Sequence, residues 1–300
     1  MSYEDKMFMK QMDNEFVRDS EGSWVAPLPF RVPRQPLPSN RPQALHRANM
    51  LVSSLNRNPG KREHFLTFMS KILDNIHADL APPLNDHKEC WYLPLFGVYH
   101  PKKPDQIRGV FDSSTKCNGV SLNSVMFDLT NDLLGVLLRF RKEMVAVTAD
   151  VQHMFHCFVV RKDHRHYLKF LWHKDNHLQE NLVEYRMRVH VFGNSPSPAV
   201  ATLGPRKAAQ VSEQEFGSHV TSFVTRDFYV DDGLTSCPTQ EEAVKLIKDT
   251  QQALAKYGNL RLHKFASNCT EIMSAFHASD LASNLKDRSR LRMRQQTPTT

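Results

Sequence analysis

Two aspartates, Asp231 and Asp232, stand side by side between two short runs of strand-forming residues. Phe228-Tyr229-Val230 precedes them, and Leu234-Thr235-Ser236 follows after Gly233. This pattern predicts a β-hairpin turning at Asp231-Asp232-Gly233, because Asp-Gly accepts the positive φ of tight turns. Alone, an exposed Asp-Asp-Gly turn is ordinary turn chemistry. Upstream, the apolar run MVAVT at 144–148 reads as a buried strand that delivers Asp150 just beyond its end. A sheet that sets this strand end beside the hairpin tip gathers three carboxylates in one place. Such a cluster is tolerable only with cations, and its oxygen ligands suit Mg²⁺. A pair of such ions is the arrangement that stabilises the attacking and leaving oxygens of an in-line phosphoryl displacement.

The rest of the chain supports a sheet of that kind. Residues 25–42 hold six of the 17 prolines and read as an extended segment. Asn40 is placed to cap a helix through Leu45, Met50, Leu51 and Leu55, which Pro59-Gly60 breaks. A second helix carries Phe65, Met69, Ile72 and Ile76 on one face, up to Ala81-Pro82-Pro83. Short strands then alternate with helices. Residues 130–142 predict a helix capped by Thr130, with Leu133, Leu134, Leu137 and Leu138 as its apolar stripe. Residues 184–191 alternate as in a half-buried strand, with Tyr185, Met187, Val189 and Val191 facing in and Arg186 and His190 facing out. Thr239 and Glu242 form a capping box for a helix closed by Gly258. Strands and helices without a βαβ rhythm predict an α+β fold, an antiparallel sheet with helices on one face.

Composition narrows the function classes. No apolar run reaches the roughly 18 residues that span a bilayer, and the N-terminus lacks the apolar core of a signal peptide. Five scattered cysteines make no disulfide framework and suit a reducing compartment. His87 and Cys90 have zinc-like spacing but no second pair, and His153 and His156 have no further ligand. The formal charge of +7 suits a polyanionic partner.

The segment 147–155 (VTADVQHMF) resembles the first carboxylate motif of reverse transcriptases, and 228–232 (FYVDD) their Tyr-X-Asp-Asp box. EYRMRVHVFGNSPSPAV resembles the motif between these two, and LRLHKFASN the lysine-bearing motif after them. WYLPLFGVYHPKKP, IRGVFDSS, LLGVLLRFR and PLPFR are similar to the BEL/Pao group of LTR retrotransposons. The resemblance covers roughly residues 14–285. It implies the fingers and palm of a polymerase right hand. Asp150, Asp231 and Asp232 would hold two Mg²⁺ ions, with Mn²⁺ as a substitute, and would be the catalytic carboxylates. Phe155 would lie under the sugar and exclude a 2′-hydroxyl. The backbone of His153 and Met154 would lie near the triphosphate. Arg108 would fork onto the phosphates of the incoming nucleotide, helped by Lys102 or Lys103. Phe192 and Gly193 would line the site beneath template and nucleotide, and Lys264 would protonate the pyrophosphate leaving group.

The partners implied are an RNA or DNA template with primer, a dNTP, and the remaining pol domains (protease, RNase H, integrase) of a longer polyprotein, with no membrane. The location implied is a cytoplasmic retroelement particle, with the nucleus as the alternative. The division expected is 1–82 as an N-terminal region leading into the fingers, 83–270 as fingers and palm, and 271–300 as a truncated, disordered basic tail, with thumb and RNase H absent. Some features look like wear: Gly109 in place of a branched apolar residue, a shortened SLNSVMFDLTN stretch, and Pro205 inside a helix, at a cost of about 3 kcal/mol. They leave a catalytically inactive nucleic-acid-binding remnant as the alternative function.

Overall fold

The computed structural model describes residues 3–83, 89–101, 103–127 and 133–282. His87, Lys102, Thr130 and the tail from 283 onward lie outside them. In chain order the helices are α1 (Tyr3–Glu15), α2 (Arg41–Arg57), α3 (Pro59–Asp74), α4 (Leu133–Phe140), α5 (Ser197–Phe216), α6 (Ser218–Arg226), α7 (Gln240–Gly258) and α8 (Thr270–Met273). The strands are β1 (Val17–Arg18), β2 (Trp24–Ala26), β3 (Ala78–Leu80), β4 (Leu95–His100), β5 (Lys103–Phe111), β6 (Val145–Val151), β7 (Phe158–Val160), β8 (Lys169–His173), β9 (Leu182–Met187), β10 (Phe228–Tyr229), β11 (Asp232–Cys237) and β12 (Leu262–Ser267). The architecture is α+β, and apart from the parallel β2–β7 pair these strands pair antiparallel. Contacts divide the chain into two units, 1–130 with 155–201 and 131–154 with 202–300.

The first unit carries the sheets β1-β2-β7, β3-β9-β8 and β4-β5. Its core gathers Phe65, Trp91, Phe111, Phe170, Trp172 and Tyr185. Burying each such ring stabilises the fold by about 1.5–3 kcal/mol. In the β4–β5 hairpin Gly97 stands opposite Gly109. A Cβ on Gly109 would lie 2.0 Å from Phe68 Cε1 of α3. Gly109 is therefore not a worn position: it makes room for an aromatic ring, and β5 runs unbroken through it. Gly109→Val is expected to lower stability by about 1–3 kcal/mol through overpacking. The check is a lower urea midpoint at unchanged slope.

Several local expectations change for reasons of longer range. Asn40 precedes α2 without capping it. Its amide instead donates to the Tyr92 carbonyl (2.7 Å), and its oxygen accepts the Tyr92 N–H (2.9 Å). Asn58 caps α3 through the Lys61 N–H, with Pro59 in the first turn. Ile76 falls beyond α3, exposed and at φ 55°. Strand β9 stops at Met187, and both Arg186 and His190 are buried rather than turned outward. Asp79, directly across on β3, supplies the partner that a buried guanidinium requires (2.8 Å).

The second unit is built on the antiparallel sheet β10-β11-β6-β12. Alternation sorts its faces. Val147, Ala149 and Val151 of β6 are buried, as are Gly233, Thr235 and Cys237 of β11. Asp150 and Asp232 belong to the other, more open face. Helices α4, α6 and α7 contact these strands. Thr239 caps α7 by accepting the Glu242 N–H, and Asn259, rather than Gly258, takes the left-handed position that ends it. One expectation fails here. In α4 Val136 is the buried residue, while Leu134 and Leu138 are 67% and 66% exposed. Pro205 lies inside a helix, α5, as the sequence leads one to expect.

Candidate active site

Asp150 lies inside β6, one residue before its end, and pairs directly with Asp232 on β11. Directly opposite residues of an antiparallel pair share a face with Cβ atoms about 4.5–5.5 Å apart. The hairpin turns one step earlier than the sequence suggests. Tyr229 pairs with Asp232, so the connecting residues are Val230 and Asp231, while Asp232 and Gly233 belong to the strand. The positive φ falls on Val230 (55°), an unfavourable place for a β-branched residue, at a cost of roughly 1–3 kcal/mol. Gly233 is needed for a different reason. It pairs with Phe228, and a Cβ on it would stand 2.8 Å from the Phe228 ring, which meets Phe223 edge-on at 5.1 Å. The corner is tied to the strand end by the Val151 N–H, which donates to the Asp231 carbonyl (2.9 Å). Asp150, Asp231 and Asp232 thus meet at one end of the β11–β6 pair, in the middle of one sheet.

On its other side β6 pairs with β12, and His263 stands directly opposite Asp150. The register shifts between His263 and Ala266, and Lys264 has φ 52°. In a regular strand His263 and Lys264 would point to opposite faces. This irregularity lets both reach one carboxylate: His263 Nε2 lies 3.0 Å from Asp150 Oδ1, and Lys264 Nζ donates to Oδ2 at 2.9 Å. Sequence reasoning picked out Lys264 and passed over His263, although the two are neighbours in LRLHKFASN.

Partial burial pushes the Asp232 carboxyl above its ordinary range, and the Asp231 and Asp150 charges push the same way against Lys264. Asp232 keeps contact with water, which screens these effects. A raised carboxyl pKa means that ionisation works against folding, so this destabilisation sets in as pH rises above the unfolded value. Asp232→Asn is therefore expected to raise the melting temperature near pH 7. That gain should vanish below about pH 3, where the unfolded carboxyl is protonated too. Thermal melts of both proteins across pH check this.

The other sequence-derived residues are distributed as follows. His153 has φ 51° and Met154 is buried, both in the second unit. In the first unit, the Phe155 and Phe192 rings meet edge-on at 6.0 Å, with Phe192 exposed. Gly193, at φ 109°, comes so close to the Phe111 carbonyl that a Cβ would lie 2.8 Å from it. Asn123 holds this loop by donating to the Gly193 carbonyl (3.0 Å) and accepting the Ser195 N–H (3.0 Å). Arg108 is exposed on β5, opposite Val98.

Comparison with known proteins gives little on sequence. No family model matches the chain, and no curated protein matches it. A solved structure is similar. It is a foamy viral protease-reverse transcriptase dRH in complex with ds DNA, at a TM-score of 0.48 and 16% identity. The match covers 87% of this chain, which spans 40% of that one.

Among the described residues no group of three or more His, Cys, Asp or Glu side chains is arranged to hold a metal ion. The donor chemistry nevertheless suits a hard divalent cation: three carboxylates at one corner, their mutual repulsion felt at Asp232, and two nitrogen groups drawn onto Asp150. The Lys264 ammonium on Oδ2 of Asp150 would repel a cation approaching that oxygen.

Proposed function

We propose that this chain is the fingers and palm of an RNA-directed DNA polymerase from an LTR retrotransposon of the BEL/Pao kind, with 83–270 as its polymerase region. It would add deoxynucleotides to a primer 3′-hydroxyl on an RNA or DNA template. The observation that carries the proposal is the direct pairing of Asp150 with Asp232 beside a corner holding Asp231. The ordered motifs require that juxtaposition, and ordinary turn chemistry does not.

In this role Asp150, Asp231 and Asp232 would hold two Mg²⁺ ions, or Mn²⁺ in their place. When bound, such ions lower the cost of the charge that develops on the attacking and leaving oxygens. The chain's own groups do the rest. Arg108 offers a planar, permanently charged fork for phosphate oxygens. Phe155 excludes a 2′-hydroxyl, and Gly193 permits close approach of backbone beneath the nucleotide. Lys264, once released from Asp150, carries a proton to the departing pyrophosphate. The net charge of +7 favours the phosphate backbone of primer and template.

The contact of the Lys264 ammonium with Asp150 favours a second reading, an inactive nucleic-acid-binding remnant whose first carboxylate stays closed. Primer extension by the purified chain and its Asp231→Asn variant separates the two. Mg²⁺-dependent incorporation by the parent chain and none by the variant supports the polymerase. Salt-sensitive primer-template binding without incorporation at any Mg²⁺ concentration supports the remnant.

A further inference from the structure

We propose that His263 is a positioning residue: it orients the Asp150 carboxylate for divalent-ion binding by donating its Nε2–H to Oδ1. The inference rests on the three-carboxylate site proposed above and goes beyond it, to the side chain that aims the first of those carboxylates.

Three observations carry it. The first is placement. His263 is the cross-strand partner of Asp150, with Nε2 3.0 Å from Oδ1. Both side chains are largely shielded, at 12% and 20% exposure, so water competes weakly for the contact. The second is chemistry. A carboxylate only accepts, so Nε2 must carry the proton, and an oxygen that accepts one hydrogen bond keeps a lone pair for a cation. Lys264 differs in kind. Its ammonium stands on Oδ2 as a positive charge, more than half exposed, which a bound divalent ion would repel and could replace. The imidazole contact survives that exchange and holds the carboxylate plane in place.

The third observation is rigidity. The strand that carries His263 is braced on several sides at its start. The Gln152 N–H donates to the Arg261 carbonyl (2.9 Å). Arg261 pairs with Asp280 (2.7 Å), and the Gln251 amide of α7 donates to the Leu262 carbonyl (3.1 Å). A donor mounted on so fixed a support limits the carboxylate to a narrow range of orientations, as outer partners do for metal-binding carboxylates.

The test is Mn²⁺ binding by the full chain, read by calorimetry and by the electron paramagnetic resonance signal of free Mn²⁺. The proteins are the parent, His263→Leu, His263→Gln and Asp150→Asn. Asp150→Asn should bind at least about tenfold more weakly. His263→Leu should weaken binding by about 10–100-fold, the usual effect of losing an outer partner. His263→Gln, whose amide can donate from nearly the same place, should recover most of that loss. Recovery by glutamine is what a purely structural role for the ring would not produce. Equal affinity in His263→Leu and the parent would overturn the inference while leaving the carboxylate site standing. Equal weakening by leucine and glutamine would also overturn it. If the parent binds no Mn²⁺, or Asp150→Asn binds as tightly as the parent, the carboxylate site fails and the inference fails with it. Should His263→Leu not fold, the glutamine variant decides alone: parent-like affinity supports the inference and a full loss overturns it.

Discussion

Replacing Asp150 by asparagine is expected to lower Mg²⁺-dependent primer extension by about a thousandfold or more while the protein still folds. An asparagine keeps the shape of the side chain and one acceptor oxygen, so the contact with His263 and the register of β6 against β11 and β12 can persist. It removes the charge that would hold a cation against the neighbouring carboxylates. Loss of several kcal/mol of charge stabilisation in the transition state corresponds to roughly three powers of ten in rate. The melting temperature should change little, because the Lys264 ammonium that loses its partner is more than half exposed. Steady-state incorporation and a thermal melt on the same preparations check both halves. Extension within tenfold of the parent would exclude Asp150 from the mechanism.

The largest effect on stability is expected at Glu184. Lys169 is almost completely buried, and its ammonium donates to Glu184 Oε2 at 2.6 Å. Tyr92 donates to the same oxygen at 2.8 Å, and Arg41 to the other at 2.7 Å. Glu184→Ala would leave that ammonium buried with the Tyr92 hydroxyl as its remaining hydrogen-bond partner in this cluster. Breaking a buried pair from one side costs about 3–5 kcal/mol. We expect about 3 kcal/mol here, since Glu184 itself is partly open to water. The effect should depend on pH in a defined sense. Burial pushes the Glu184 carboxyl up, but hydrogen bonds from Lys169, Arg41 and Tyr92 outweigh it and hold the group below its ordinary range. Its contribution is then complete above the unfolded value, roughly 4.3, and is lost as pH falls through the lower folded one. Urea melts should show the full deficit at pH 7 and a smaller one in acid, below the unfolded carboxylate value.

Much of the second unit was legible in the sequence, because its signals are local. MVAVT announces β6, Thr239 announces the start of α7, and the runs on either side of Asp231 announce a hairpin. What was not legible depends on partners distant in the chain. The positive φ at Val230 carries no residue signature, since nothing about valine invites it. The irregularity at Lys264 breaks the alternation on which strand reading depends, which is why His263 was passed over. Helical spacing shows that Leu134 and Leu138 share a face but not which way that face turns, and in the fold it turns to solvent. Asn40 has the composition of a cap, yet Tyr92, fifty-two residues away, claims its side chain. Gly109 looks like damage until Phe68 is seen against it.

The central claim is that Asp150, Asp231 and Asp232 share a divalent cation at the hairpin corner. Crystals soaked in Mn²⁺ and measured at the manganese absorption edge test it directly, because anomalous scattering locates the ion without reference to activity. The account predicts a peak in contact with carboxylate oxygens of Asp150 and at least one of Asp231 and Asp232, with the Lys264 ammonium moved off Oδ2. No peak at that corner, with Lys264 still bound to Asp150 at saturating Mn²⁺, would contradict it.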